Sequence, residues 1–373
     1  MNYILFDGPA RTALLPFTYT RPVADIRIGI LTIREKWEKY LGSTTTTLTE
    51  EYLSDKYPMV ELEENVMINA SYLPNENLVA IISNLKSNQA VFKGDAVVAF
   101  FTNDSQEEVD FDQYEIIEFH NDCLTVEHTW DIFAKNDAAI REDFALLTQD
   151  RTSQPIPKSV NTIGKENIFI EEGAQLEFVT LNASTGPIYI GKHVNIQIGT
   201  LIQGPAAILD HSVTNLGSKI RPFTTIAPHC KVGGEISNSI FYPYSNKGHD
   251  GYAGSSIIGS FCNWGAMTCT SNVKNDLNEV DIFDYSTAKP RKTNTKSLGV
   301  IMGDFVTTGI GTRFNTGTVV GNHSNISGIQ FLPKFIPSLT WGEYPNVKKY
   351  AFDKALANAK KWAKAKNQEL AEN

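Results

Sequence analysis

Between residues 190 and 232 aliphatic side chains return at a strict step of six. Ile190, Ile196, Ile202, Ile208, Ile220, Ile226 and Val232 hold the step, and Thr214 is its one polar member. A helix repeats near 3.6 residues and a strand near 2, so six belongs to neither. It fits a short strand plus a corner, with three such units closing a triangular coil of about 18 residues. The aliphatics point inward, and Gly, as in Ile190-Gly191, suits the corners that other residues resist. Successive coils then pair as parallel strands about 4.8 Å apart, and the open ends of the stack require caps. The step breaks between Val232 and Ile240, read as an insertion of two residues, and resumes at 240, 246, 252, 258 and 264. That phase puts Asn246 and Tyr252 inward. A second Gly-punctuated block runs from Met302 to Asn322. Between the blocks, Ser271–Gly299 is polar and aperiodic and reads as a long functional loop.

Residues 1–148 follow a different pattern. Tyr3–Phe6 is a short apolar strand entering the turn Asp7-Gly8-Pro9. Ile30, Ile33, Trp37 and Leu41 stand at helical spacing, with Gly42 where a C-cap belongs. Ala96–Phe101 has the length of a buried strand, and Asp131–Leu147 reads as a helix. The expected organisation is therefore a mixed α/β domain over 1–148, a Pro-containing linker over 149–160, a parallel β-helix over 161–345 and a C-terminal helix over 346–373. In that last segment Phe352, Leu356, Ala359 and Ala363 recur at helical spacing, and the lysines among them form a solvated face.

Composition changes this picture little. A net charge of −9 argues against nucleic acid as a partner, while a local basic pocket for small anions remains compatible with it. Cys123, Cys230, Cys262 and Cys269 form no CxxC pair, so zinc-ligand spacing is absent and free thiols in a reducing cytoplasm are expected. The first residues lack a signal-peptide pattern, and no run approaches the roughly 20 apolar residues of a membrane span.

Histidine is more informative. His193, His211 and His229 each follow a core Ile by three residues and stand 18 apart, so they should stack on one face. With the insertion corrected, His249 continues that column. An exposed column without chemistry, a groove between subunits and a shared metal ion are the competing readings; a spacing of about 4.8 Å is long for convergence on one ion. His249 differs by its neighbours, Asn246-Lys247-Gly248-His249-Asp250-Gly251-Tyr252. A histidine in that polar corner is placed to accept a proton near neutral pH.

The stretch Lys247–Gly254, then Ile258-Gly259, Asn263-Trp264-Gly265-Ala266 and Asn272, resembles the acetyltransferase domain of the bifunctional enzymes that make UDP-N-acetylglucosamine. The likeness is to a divergent, Bacteroidetes-type subgroup, and it extends over Arg21-Pro22-Val23 and Arg27–Trp37. It implies a nucleotidyltransferase-like α/β domain joined to a left-handed β-helix of the hexapeptide-repeat acyltransferases. It further implies a cytoplasmic homotrimer acting on acetyl-CoA, an amino-sugar-1-phosphate and a nucleoside triphosphate, with its acetyl-transfer site between subunits. By position, His249 would be the general base that deprotonates the amine of glucosamine-1-phosphate. Arg221, Tyr252 and Asn263 would bind the sugar phosphate, and Gly265 and Ala266 would lie beside the acyl carrier.

The chain also departs from that pattern. Two lysines of the family fall here near Asn238 or Ser239 and near Ser297, so the phosphate grip passes to Lys247, Lys274 or the group Lys289, Arg291 and Lys292. In the first domain the phosphate loop has a single glycine, Gly8, and Pro9 lacks a donor. Gly8, Arg11 and Arg21 would bind the nucleotide, with Arg27 a further candidate and Asn69 at a strand end. Asp7 and Asp95 are the candidates for Mg²⁺. Two other readings stay open: a sugar-1-phosphate uridylyl- or thymidylyltransferase with a structural β-helix, and a non-catalytic trimeric scaffold that binds a sugar nucleotide.

Overall fold

The computed structural model describes residues 1–103 and 109–370. Internal contacts divide the chain into two compact units: Met1–Arg27 with Leu31–Asp131, and Ile28–Ile30 with the chain from Ile132 onward.

The first unit is built on a six-stranded mixed sheet. Its strands are β1 (Asn2–Phe6), β2 (Thr45–Leu48), β3 (Asn65–Asn69), β4 (Gln89–Lys93), β5 (Ala96–Thr102) and β6 (Glu115–Glu118), in the order β2-β1-β3-β5-β4-β6. β1 is parallel to both neighbours, and β5 runs antiparallel to β3 and β4. The expected helix forms over Ile33–Leu41. Thr32 and Glu35 close a reciprocal capping box at its start, and Gly42 ends it in the left-handed conformation. Its fully buried Trp37 donates from Nε1 to the Tyr72 carbonyl at 3.0 Å.

The second unit is a left-handed parallel β-helix with three sheets of nine, six and five strands before its last coils. Along the longest sheet, Ile170, Ile190, Ile208, Ile226, Phe241, Ile258, Met302, Val320 and Ile336 are register partners. All of them are buried. Each such side chain contributes about 1.5–3 kcal/mol by leaving water. The Asn136–Thr148 helix lies on the outer face of this sheet, with Phe144 and Leu147 against Phe169, Tyr189 and Leu209. Sequence spacing suggested one helix from Asp131; two form instead, Thr129–Ala134 and Asn136–Thr148, with Lys135 between them.

The register break is a deletion, where the sequence suggested an insertion. Ile220 pairs with Ile236, Val232 with Lys247 and Ile236 with Ala253. The inward series is therefore Val232, Ile236, Phe241, Lys247 and Ala253: the step falls to four residues at the Gly233-Gly234 corner and to five from Ile236 to Phe241 before six returns. Gly234 takes φ +72°, and a Cβ on Gly233 would lie 2.6 Å from the Gly248 carbonyl oxygen. The phase moves by one: Asn246 and Tyr252 face outward, and Lys247 faces the core.

The histidine column forms, but His249 is not in it. His193, His211 and His229 stack with centroids 5.1 and 4.9 Å apart, and the next places belong to Tyr244, Phe261, Phe305 and His323. Face-to-face stacking keeps the ring nitrogens from converging on one ion. Among the described residues no group of three or more His, Cys, Asp or Glu is arranged to hold a metal. Ser271–Gly299 folds back as a hairpin, Asp281–Asp284 against Lys289–Lys292, and Phe283 stacks on Phe335.

At the C-terminus, Asn346–Lys349 is a strand antiparallel to Thr340–Glu343, and the helix spans Phe352–Ala365. Its buried side is Ala355, Ala359 and Ala363, while Phe352 is exposed. The last three residues of the expected tail lie outside the described residues. No described helix is long and apolar enough to cross a membrane.

One buried side chain holds an early segment to the second unit. Asn136 accepts from Gly29 N–H at 2.7 Å and donates to the Phe223 carbonyl at 2.9 Å and to Thr225 Oγ1 at 3.1 Å. Asn136→Ala orphans a buried donor and a buried acceptor. We expect it to destabilise this unit by on the order of 3 kcal/mol, as a lowered midpoint in chemical denaturation followed by far-UV circular dichroism. An unchanged midpoint contradicts this role.

Candidate functional site

His249 stands on the corner between the strands Asn246–Lys247 and Tyr252–Gly254. Every carbonyl of that corner has a donor. Gly248 receives Asn215 Nδ2 at 2.6 Å, Asp250 receives Met267 N–H at 2.9 Å, and Gly251 receives Glu235 N–H at 3.2 Å. His249's own carbonyl receives Lys247 Nζ at 2.9 Å. The backbone is thereby fixed while the imidazole stays exposed.

A cavity of ≈350 Å³ opens beside this corner. His249, Asn246, Asn263, Trp264, Gly265 and Ala266 line it, together with Asn215, Lys231, Gly248 and Ile310. Asn263 bridges in parallel to Asn246 and Thr307, which sets it one coil beyond the histidine corner. Gly265 packs so closely that a Cβ would lie 2.5 Å from the Gly309 carbonyl carbon. Four of the expected residues, His249, Asn263, Gly265 and Ala266, therefore meet around one space of the size small ligands occupy.

Arg221 and Tyr252 sit on the adjacent sheet. Arg221 pairs with Glu235 at 3.1 Å, and Glu235 is the register partner of Tyr252. Burial pushes the Tyr252 hydroxyl above its ordinary pKa, opposed by the Arg221 charge, and Asn272 bonds the hydroxyl. The tyrosine ring lies along its own strand because position 254 carries no side chain: a Cβ there would lie 2.2 Å from the Tyr252 hydroxyl oxygen. Asn272 also donates to Ser297 Oγ at 3.1 Å. Ser297 meets Ser255 at 2.8 Å, and Asn238 Nδ2 reaches Ser255 at 3.2 Å. The positions that depart from the lysine pattern thus form one neutral hydrogen-bonded chain ending at Tyr252.

Lys247 was expected among the phosphate contacts. Its ammonium instead points into the solenoid, 2% exposed, and donates to the carbonyls of Gly233 at 2.8 Å and His249 at 2.9 Å. Burial lowers its pKa from 10.5 to about 8, against the raising effect of Cys269 and Asp250. Holding that group charged in the fold costs on the order of 3 kcal/mol. Lys274 donates to the Glu279 carbonyl, and Arg291 pairs with Asp284 at 3.3 Å. Sequence reasoning missed Asn215 and Glu235, because only the coil register brings them to the site; Asn246, read from the spacing as inward, lines the cavity instead.

In the first unit, Arg11 is engaged by its neighbours. It bonds Asp7 at 2.6 Å, the Thr18 carbonyl at 2.7 Å and the Tyr52 hydroxyl at 2.8 Å, and pairs with Glu50 at 3.3 Å. Asp7 accepts in addition from Val23 N–H and Thr49, both at 2.6 Å. Gly8 has φ +56° and faces Asn69, whereas Arg21 and Arg27 are buried and Asp95 is exposed.

Residues 3–152 match the family described as sugar nucleotidyl transferase. The chain is 28% identical to the bifunctional protein GlmU of Methanococcus maripaludis over 74% of its own length and 58% of that protein's. It is 36% identical to GlmU of Methanocaldococcus jannaschii over 33% of this chain and 30% of that one. A bifunctional sugar-1-phosphate nucleotidylyltransferase/acetyltransferase of Sulfurisphaera tokodaii is 30% identical over 38% of this chain and 35% of the relative. The chain thus spans about half or less of the curated relatives it matches.

Two outcomes test this geometry. Lys247 is charged below about pH 8 in the fold and below about pH 10.5 when unfolded. Between those values the unfolded chain binds the extra proton, so this group makes stability rise with pH. Melting curves of native protein and Lys247→Met across that window should differ by this rise, and parallel curves would contradict the burial. Gly254→Ala should keep the melting temperature within a few degrees and displace the Tyr252 ring. The readout is a shift of its ¹³Cζ resonance, assigned against Tyr252→Phe; an unmoved resonance contradicts the packing.

Proposed function

We propose that this chain, a divergent relative of the bifunctional GlmU proteins, acetylates the amine of an amino-sugar-1-phosphate, glucosamine-1-phosphate, at the expense of acetyl-CoA. Its first unit would serve nucleotidyl transfer from UTP to the acetylated sugar-1-phosphate. The observation that carries the acetyl-transfer reading is the meeting of His249, Asn263, Gly265 and Ala266 around one cavity.

In this reading the amine nitrogen attacks the thioester carbonyl while His249 takes its proton. The tetrahedral intermediate collapses, the carbon–sulfur bond breaks, and the CoA thiolate leaves with the proton returned by the imidazolium. No covalent enzyme intermediate is needed, so the cysteines have no part. Asn263 orients the sugar, and Arg221 with Tyr252 meets the phosphate. Gly265 and Ala266, which line the cavity, would lie beside the acyl carrier.

An exposed apolar column supports a homotrimer. Phe178, Ile198, Leu216, Met267 and Ile310 are each at least half exposed, and backbone bonds stack their corners in line with the histidine corner. A solenoid face of this kind is covered by copies of the same chain, and the cavity then lies at the seam. The whole reading belongs to a cytoplasmic enzyme of small-molecule metabolism.

The nucleotidyl half rests on the family match over residues 3–152. Mg²⁺ would be expected for that chemistry, but the Asp7 carboxylate is already taken by Arg11, Thr49 and Val23 N–H. Among the described residues no group of three or more His, Cys, Asp or Glu is arranged around an ion, and no step is drawn through it.

Release of free CoA thiol from acetyl-CoA and glucosamine-1-phosphate tests the acetyl-transfer reading. Native protein should turn over, and His249→Ala should be slower by about 10²–10⁴-fold. Silence from both would sink the reading and leave a nucleotidyltransferase or a binding scaffold. Equal rates would remove His249 as the base.

A further inference from the structure

We propose that Lys247 is the positioning residue of the acetyl-transfer centre, gripping the His249 carbonyl from inside the solenoid so that the imidazole is held at the cavity. This rests on the acetyltransferase reading and adds a residue whose action passes through His249.

The inward places on its sheet are Leu176, Ile196, Thr214 and Val232, each the register partner of the next, and Lys247 follows as the partner of Val232. An aliphatic side chain would fill that place in keeping with the core. A cation there needs acceptors, and the fold supplies two, the carbonyls of Gly233 and His249. The space for the ammonium comes from the shortened corner: a Cβ on Gly234 would stand 2.9 Å from Lys247 Nζ. The shortened corner thus turns the Gly233 carbonyl toward the core, and together with the five-residue step from Ile236 to Phe241 it brings Lys247 into inward phase, its ammonium on the carbonyl of the residue that carries the imidazole.

The other corner carbonyls are held by neutral donors, from Asn215, Met267 and Glu235. The donor to His249's own carbonyl is the charged one, and charge-assisted bonds are the stronger class. The titratable groups acting on this ammonium are Cys269, from the next coil, and Asp250, on the same corner. Burial opposes its charge, so packing alone does not account for a lysine here. A base displaced by about 1 Å forfeits on the order of 10²-fold in rate, which sets the size of the effect expected.

The test compares native protein, Lys247→Met, which keeps the length and loses the donors, and Lys247→Gln, which restores neutral donors. Lys247→Met should fold, lose about 10–100-fold in kcat and keep KM for acetyl-CoA within about twofold. Lys247→Gln should recover most of the rate. In the same samples the His249 ring resonance, assigned among the seven histidines by its loss in His249→Ala, should shift or broaden in Lys247→Met and return in Lys247→Gln. Native kcat with an unmoved resonance overturns the proposal and leaves Lys247 a core residue. If native protein releases no CoA, the acetyl-transfer reading has failed on its own. The resonance then decides the coupling: movement upholds it and constancy overturns it. Should Lys247→Met fail to fold, Lys247→Ile, the kind of aliphatic that Ile196 places further along the same sheet, takes its place, and native kcat with an unmoved resonance in that variant overturns the proposal.

Discussion

The second unit depends on one constraint: every coil must present its backbone donors and acceptors in register to the coil beyond it. Parallel ladders tolerate little slippage, because a shift of one residue exchanges inside for outside. The partners Ile170 through Ile336 on the longest sheet keep that register although 41 residues separate the strand Ile257–Ile258 from its next neighbour Val300–Met302. The chain leaves the solenoid, forms a hairpin and returns in phase.

Chemistry gathers where the constraint is relaxed without being broken. At Gly233-Gly234 a corner shortens, and the ladder survives because glycine accepts the turn. What changes is the assignment of faces downstream. Tyr252 comes out to lie over Gly254, beside Arg221 and Glu235, while Lys247 goes in beneath His249. A strictly periodic solenoid would offer the same side chains coil after coil. One irregular coil makes a place unlike the others, and the polar residues of the candidate site cluster around it.

Much of this was legible in the sequence. The step of six announced the solenoid, the aperiodic stretch after residue 270 marked the excursion, and Gly42 stood where the Ile33–Leu41 helix ends. His249 and Asn263, separated by 14 positions, could be read as a pair because the motif around them is specific. The sense of the register break could not. An insertion and a deletion both restore aliphatics further on, and only the pairing of Val232 with Lys247 separates them. That ambiguity also extended the histidine column to residue 249, whereas Tyr244 occupies the next place. Arg11 illustrates a different limit: its spacing suits a phosphate loop, but its bonds to Asp7, Thr18 and Tyr52 follow from folding of distant segments.

The short segment Ile28–Ile30 has a consequence for how the chain can be divided. It lies within the first part of the sequence, yet Gly29 is bonded to Asn136 and Thr225 and Ile30 to Asp143. The polypeptide therefore visits its second unit, goes back, and arrives there again after residue 131. No single scission can separate the units with each intact, because any fragment starting past residue 30 lacks a piece of its own wall. A fragment carrying the whole of the second unit must therefore begin no later than Ile28 and take part of the first unit's sequence with it.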